Sequence, residues 1–413
     1  MSALTVPVRG ASYRWVILGI ATFAQASASF FVQGIGAISA FLERDLHLST
    51  AQIGLLISAA QLVPLVGLLV AGELLDRYSE RWVVGIGTLL VALSLLAGSL
   101  ATGYVSLLLL LIVVGTGYST AQPGGSKSVA QWFDASQRGF AMGIRQAGLP
   151  LGGALAAALL PYLAGEMGWQ SSFVAGGLVA LLGAVVFIGF YRAPEAAGPP
   201  RPASRGTSIR SELASRLRMI RDPAMGRIMF SGVSLISVQY GIQVLTVLFL
   251  HDEADLSITT SALLLFVAQC GGVAGRIVLA AWSDRCTAGR YLPVLVCMSA
   301  VIAGLAVLVL VPLHSVVLCG ILVTWLGFFG FGWYGPWVAY VAESASPDKT
   351  GFALGLAMSV NQIAVIAVPP VLGLLKDATD SYTPGWSLLA AMTLVALLAT
   401  SWGSRQSAGR PSA

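Results

Sequence analysis

The sequence predicts an all-α polytopic membrane protein, with twelve transmembrane helices arranged as two pseudo-symmetric six-helix bundles. Three observations carry this. Of 413 residues, 56% are apolar and 10% charged, and the mean hydropathy is +0.83; soluble domains carry about 25% charged residues. The chain repeats itself: laying 41–77 on 249–285 without a gap gives 12 identities in 37 positions, including Gln61/Gln269 and Gly67/Gly275. A second echo, at an offset of 212, returns Gly139-Phe140-Ala141-Met142-Gly143-Ile144 as Gly351-Phe352-Ala353-Leu354-Gly355-Leu356. Two ungapped matches at nearly one period mark a duplicated half. Third, the basic residues segregate to one side of the spans.

A span needs roughly 20 apolar residues. The spans fall near 15–41, 51–75, 82–103, 105–131, 139–165 and 170–191, then near 226–250, 258–283, 291–312, 315–342, 351–375 and 386–403. The first is a span and not a removed leader, because its apolar run is long and no small-residue cleavage site follows it. This divides the chain into an N-terminal bundle (1–191), a linker (192–225) and a C-terminal bundle (226–413). Of 23 Lys and Arg residues, 18 fall on the side of the termini, while Arg44 and Lys376 fall opposite. Excess positive charge marks the cytoplasmic side, so both termini are expected in the cytoplasm and the protein in a bacterial inner membrane. Lys127, Arg145 and Arg276 remain inside spans.

The linker opens with a Pro-, Ala- and Gly-rich stretch from Pro194 to Gly206, expected to be extended. Thr207 to Asp222 reads as a basic amphipathic helix, with Ile209, Leu213, Leu217 and Ile220 on one face and Arg210, Arg216, Arg218 and Arg221 elsewhere. Such a helix lies flat on the anionic leaflet. Cys270, Cys286, Cys297 and Cys319 lack metal-ligand spacing and read as packing residues. No metal and no cofactor is expected.

Between spans 2 and 3 lies a charged knot, Gly72-Glu73-Leu74-Leu75-Asp76-Arg77-Tyr78-Ser79-Glu80-Arg81, echoed as Ser283-Asp284-Arg285 at the matching place in the second half. This pattern resembles the signature loop of the major facilitator superfamily, with Ser79 where a Gly is usual. The resemblance covers nearly the whole chain. It implies a monomeric transporter that works by alternating access, and a gating role for Asp76 and Arg77, flanked by Arg81, and for Asp284 and Arg285. A carboxylate at such a loop can cap a neighbouring helix N-terminus, and Gly72 suits close helix packing.

Ionisable groups inside a membrane are costly and usually functional. Every Asp and Glu lies at a span end or in a loop, and His47, His251 and His314 fall in loops predicted to face outward. The intramembrane candidates are therefore cationic: Lys127 in span 4, Arg145 in span 5 and Arg276 in span 8. A cavity lined by cations attracts anions, and Arg offers a fork to carboxylate or phosphate. Gln269 shares a helical face with Arg276, and Gln61 is its partner in the repeat. Further candidates are Gln25 on span 1, Tyr118 and Gln122 on span 4, Gln239 and Gln243 on span 7, Trp333 on span 10 and Asn361 on span 11. For each polar candidate, ordinary helix packing is the competing account. An Arg in this part of span 8 also resembles the binding arginine of the oxalate–formate antiporter and monocarboxylate transporter branches. The intramembrane lysines of those branches are missing here, and Asn361 and Gln362 occupy the region on span 11.

The expected function is secondary transport of a small organic anion. Proton-coupled efflux is the alternative, suggested by Gly148-Leu149-Pro150-Leu151-Gly152-Gly153 in span 5, although small residues there also explain themselves as tight packing. A catalytic role is excluded by the lack of any Ser/His/Asp set, metal cluster or phosphate loop facing a cavity. The expected partners are a small, anionic substrate and the bilayer, with no nucleic acid, because the basic residues follow the topology.

Overall fold

The structure is a computed structural model that describes residues 8–133, 135–194, 223–286, 291–311, 315–344 and 350–408. The amphipathic helix expected at 207–222 lies outside the described residues, as do the side chain of Asp76 and residue His314. Twelve helical segments are long and apolar enough to cross a membrane. They match the expected spans to within several residues, with span 1 reaching further, to Leu46. Exposed side chains such as Ile86, Leu109, Leu182, Ile321 and Leu398 leave the outside of the bundle apolar, a surface suited to lipid and not to water.

Several spans are broken, and the breaks have local causes. Span 1 comprises Val8–Gly34, a 3-10 turn Ile35–Ile38 and Ser39–Leu46. Span 2 comprises Thr50–Leu62 and Pro64–Arg77, and Pro64 lacks the N–H that would continue the ladder. Ser49 starts it with a capping box: its Oγ accepts from Gln52 N, and Gln52 Oε1 accepts from Ser49 N. Span 4 comprises Tyr104–Tyr118 and Ala121–Trp132, and span 10 comprises Val316–Gly332 and Tyr334–Ser344. These two breaks lie ahead of Pro123 and Pro336, which fall within one residue of each other in the repeat. Span 5 (Ala135–Met167) and span 11 (Thr350–Thr379) contain prolines but run on as single helices.

The two bundles meet along spans 2 and 11 and along spans 5 and 8. At one end, spans 2 and 11 are locked together. Gln362 Nε2 donates to the Gln61 carbonyl (2.9 Å), Ser58 Oγ donates to the Ile366 carbonyl (2.6 Å), and the Asp377 carboxylate accepts from the backbone N–H groups of Thr50 (3.1 Å) and Ala51 (2.8 Å). The Ile366 carbonyl is available because Pro370, four residues on, has no N–H. Asp377 thus caps the N-terminus of the other bundle's helix, where free N–H groups and the dipole favour a carboxylate.

At the opposite end, where the signature loop lies, the second half of span 2 (Pro64–Arg77) has little contact with span 11. A Cβ added at Gly72 would meet nothing within 4 Å, so this glycine is not the close-packing site expected from sequence. Arg77 and Asp284 are exposed here, and Glu73 lies 3.9 Å from Arg77. Arg81 Nε donates to the Ile188 carbonyl at the end of span 6 (2.5 Å). Asp377, at the other end of the molecule, is a described carboxylate that caps a helix of the other bundle.

Candidate functional site

A cavity of about 320 Å³ lies between the bundles, within the ~300–1,000 Å³ range of small-molecule sites. It extends from the locked stretch of spans 2 and 11 toward the signature-loop end, past Leu65 and Leu68 on span 2, Ser126 on span 4 and Met358 on span 11.

Arg276 is the charged side chain in its wall among the described residues. Its helix, Ile258–Arg285, presents it 6% exposed. Two backbone carbonyls hold it: Nε donates to Phe331 O (3.2 Å) and Nη1 to Gln146 O (3.0 Å). Both acceptors are freed by local sequence. Pro150 cannot donate to Gln146 O four residues earlier, and Phe331 is in the last turn before the break in span 10. The guanidinium also sits 5.5 Å from the centre of the Tyr334 ring, a cation–π arrangement. A guanidinium has five N–H groups, and the two bonds to carbonyls use two.

The rest of the wall is amide and phenol. Gln33, Gln61, Tyr118, Gln122, Gln146, Gln239, Tyr240, Tyr334, Asn361 and Gln362 all line it. The Gln33 carboxamide lies beside the hydroxyls of Tyr118 and Tyr240, and Gln122 lies beside that of Tyr334. Among the described lining residues there is no Asp, Glu or His. Among the described residues no group of three His, Cys, Asp or Glu side chains could hold a metal ion.

The candidates from sequence divide into two sets. Arg276, Gln61, Tyr118, Gln122, Gln239 and Asn361 line the cavity; Gln25, Lys127, Arg145, Gln243, Gln269 and Trp333 do not, for identifiable reasons. Lys127 Nζ pairs with Glu80 Oε1 (3.0 Å) and donates to the Leu75 carbonyl at the end of span 2. Glu80 is itself buried, and it also accepts from Gln131 Nε2 (2.9 Å) and faces the Tyr191 hydroxyl (3.4 Å). Arg145 is fully buried, donating to Gln25 Oε1 (3.3 Å) and to the Gln122 carbonyl (3.0 Å). Gln25 is therefore the partner of Arg145. Gln269 packs on Gly153, where a Cβ would come within 2.8 Å of its Cδ. Gln243 approaches Gly36 on span 1 through its carbonyl, and Trp333 is buried behind Tyr334.

Sequence reading missed Tyr240 and Gln146. Each adjoins a residue it did single out, Gln239 and Arg145, and the helical rotation between neighbours decides which one faces the cavity. The glycine-rich stretch of span 5 is packing: a Cβ at Gly148 would lie 2.8 Å from the Thr22 carbonyl, and one at Gly152 would lie 2.7 Å from Ser29 Oγ.

Comparison with known proteins adds the lineage. The family model described as Major Facilitator Superfamily matches residues 21–369. An uncharacterised MFS-type transporter of Mycobacterium tuberculosis (strain CDC 1551 / Oshkosh) is 28% identical over 388 residues, covering 94% of this chain and 85% of that protein. The hexuronate transporter of Bacillus subtilis (strain 168) is 25% identical over 386 residues, covering 90% of each. Among solved structures, a bacterial homologue of the human lysosomal transporter Spinster, in an inward-facing and occupied conformation, matches with a TM-score of 0.73 at 16% identity, over 97% of this chain and 98% of that one.

Proposed function

Because this chain belongs to the Major Facilitator Superfamily and is a multi-pass membrane transporter, we propose that it carries a small organic acid, bound as its carboxylate to Arg276, by alternating access. Arg276 is the observation that carries this: a buried guanidinium in a cavity wall whose described residues include no carboxylate, held by carbonyls that leave donors to spare. A carboxylate would supply the missing counter-charge in a low-dielectric site, where charge-assisted hydrogen bonds are strong. The similarity to a hexuronate transporter supports an acid substrate.

The bundles, 1–191 and 226–413 joined by 192–225, rock about this site. With both termini cytoplasmic, as the Lys and Arg distribution supports, the locked end is external and the cavity faces the cytoplasm. Opening outward must break the Asp377, Ser58 and Gln362 bonds between spans 2 and 11. Asp76, Arg77, Arg81, Asp284 and Arg285 then lie where the cytoplasmic ends close, and their role is to hold that second state. The protein works as a monomer in a bacterial inner membrane. No observation favours efflux, since the span 5 glycines are accounted for by contacts with span 1.

The test is ligand-induced thermal stabilisation of the purified protein with organic acids, amines and neutral compounds, alongside Arg276→Ala. A ligand at a hundredfold excess over Kd stabilises by about 2.7 kcal/mol. Acids alone should raise the midpoint, and Arg276→Ala should abolish the rise. Stabilisation by amines that survives Arg276→Ala would overturn the proposal.

A further inference from the structure

We infer that the cavity selects acids that carry one carboxylate on a hydroxylated body, and discriminates both against diacids of the same length and against plain fatty acids; this rests on the organic-acid reading of Arg276. The first half follows from the count of available cations. Arg276 is the one charged side chain among the described lining residues. Arg145 is turned into the protein by Gln25 and the Gln122 carbonyl, and Lys127 is held by Glu80. A second carboxylate would leave water and meet amides and phenols without a counter-charge, which is costly.

The second half follows from unsatisfied amides. Gln33, Gln239 and Asn361 line the cavity, and each is at least nine-tenths buried, at 3%, 3% and 5% exposure. Gln33 Oε1, Gln239 Oε1 and both Oδ1 and Nδ2 of Asn361 have no hydrogen-bond partner in the protein. Buried polar atoms left unpaired are destabilising, so these amides favour a group that both donates and accepts, as water does and as a ligand hydroxyl displacing that water would. A hydroxyl does both, and a methylene does neither. The Asn361 carboxamide has its place because span 7 has a glycine there: a Cβ at Gly232 would stand 2.8 Å from Asn361 Oδ1. Span 1, span 7 and span 11 each thus bring an amide to the wall, while span 8 brings the cation.

Four compounds with six carbons separate these features. Hexonate has one carboxylate and a chain of hydroxyls, hexarate has a carboxylate at each end, hexanoate has one carboxylate and no hydroxyl, and hexitol has hydroxyls alone. Titration calorimetry of the full-length protein with this set, in gluco and galacto configurations, should give hexonate at least about tenfold tighter than hexarate and hexanoate, and no heat from hexitol. A site built for hydroxyl groups rejects analogues lacking them. Asn361→Leu should bring hexonate and hexanoate to within about threefold of each other; Gln239→Met is the second variant should the first fail to fold. Hexarate binding as tightly as hexonate sinks the single-carboxylate half, and hexanoate equal to hexonate in the unmodified protein sinks the hydroxyl half. If no acid binds and hexitol does, the organic-acid reading falls first and takes this inference with it.

Discussion

The two bundles hold their buried cations in different ways. In the N-terminal bundle, Lys127 is neutralised by Glu80 and Arg145 is wrapped by Gln25 and the Gln122 carbonyl. In the C-terminal bundle, Arg276 meets two carbonyls and a tyrosine face but no carboxylate among the partners seen, and it borders the cavity. The repeat sharpens the contrast. Leu68 stands at the position of Arg276 in the first half and lines the same cavity. Gln61 lines the cavity, whereas its repeat partner Gln269 is packed on Gly153 with both amide atoms unpartnered. Duplication supplied equivalent positions, and divergence left a cavity-lining cation, among the described residues, on one side only. Arg276 borders the cavity, oriented by one carbonyl from each bundle, whereas Arg145, also held by amide oxygens alone, is turned away from it by Gln25 and Gln122.

The largest effect expected is on Arg276. Arg276→Ala should weaken acid binding by about a hundredfold, roughly 2.7 kcal/mol, in equilibrium titration. The unliganded protein should melt no earlier, because the change removes a buried cation with no carboxylate among its described partners. A variant that binds normally would erase the distinction between the bundles.

Next is Glu80→Ala, which leaves the Lys127 charge against a buried wall. Breaking a buried pair costs about 3–5 kcal/mol, but the Lys127 side chain is 32% exposed, so about 2 kcal/mol is expected. Thermal or denaturant unfolding in detergent reads this, and Lys127→Met added to Glu80→Ala should recover most of it. No recovery in the double variant would mean that Glu80 acts through Gln131 and Tyr191 instead.

Asp377→Ala should cost the locked end about 1 kcal/mol, as for loss of a helix N-cap. That shifts the balance of states about fivefold, and alkylation of Leu65→Cys, in a chain with its four cysteines replaced, should slow accordingly. Unchanged labelling would show that packing of spans 2 and 11, and not the carboxylate, sets the state.

The smallest effect separates the repeat partners. Gln269→Leu should change binding less than about twofold and stability by less than about 0.5 kcal/mol, because the amide it removes has no partner. Gln61→Leu should weaken binding several-fold more. Equal effects would contradict the asymmetry of the two faces.

Much of this was legible in the chain alone. Span number, the two halves and the membrane depth of Arg276, Arg145 and Lys127 depend on apolar length and on where charges interrupt it, which are local properties. Pro150 and Pro370 are likewise readable as residues that free a carbonyl four positions back. What takes those carbonyls is not readable. Arg276 reaches Gln146 across 130 residues of chain, and Ser58 reaches Ile366 across 308. Six of the twelve proposed binding residues proved to line the cavity, since sequence places a side chain on a helical face but does not say which neighbour that face meets. Burial punishes any unpaired charge, so each cation in the membrane must find a partner, and only the packing of distant spans decided that Lys127 and Arg145 found theirs inside the protein while Arg276 was left facing the cavity.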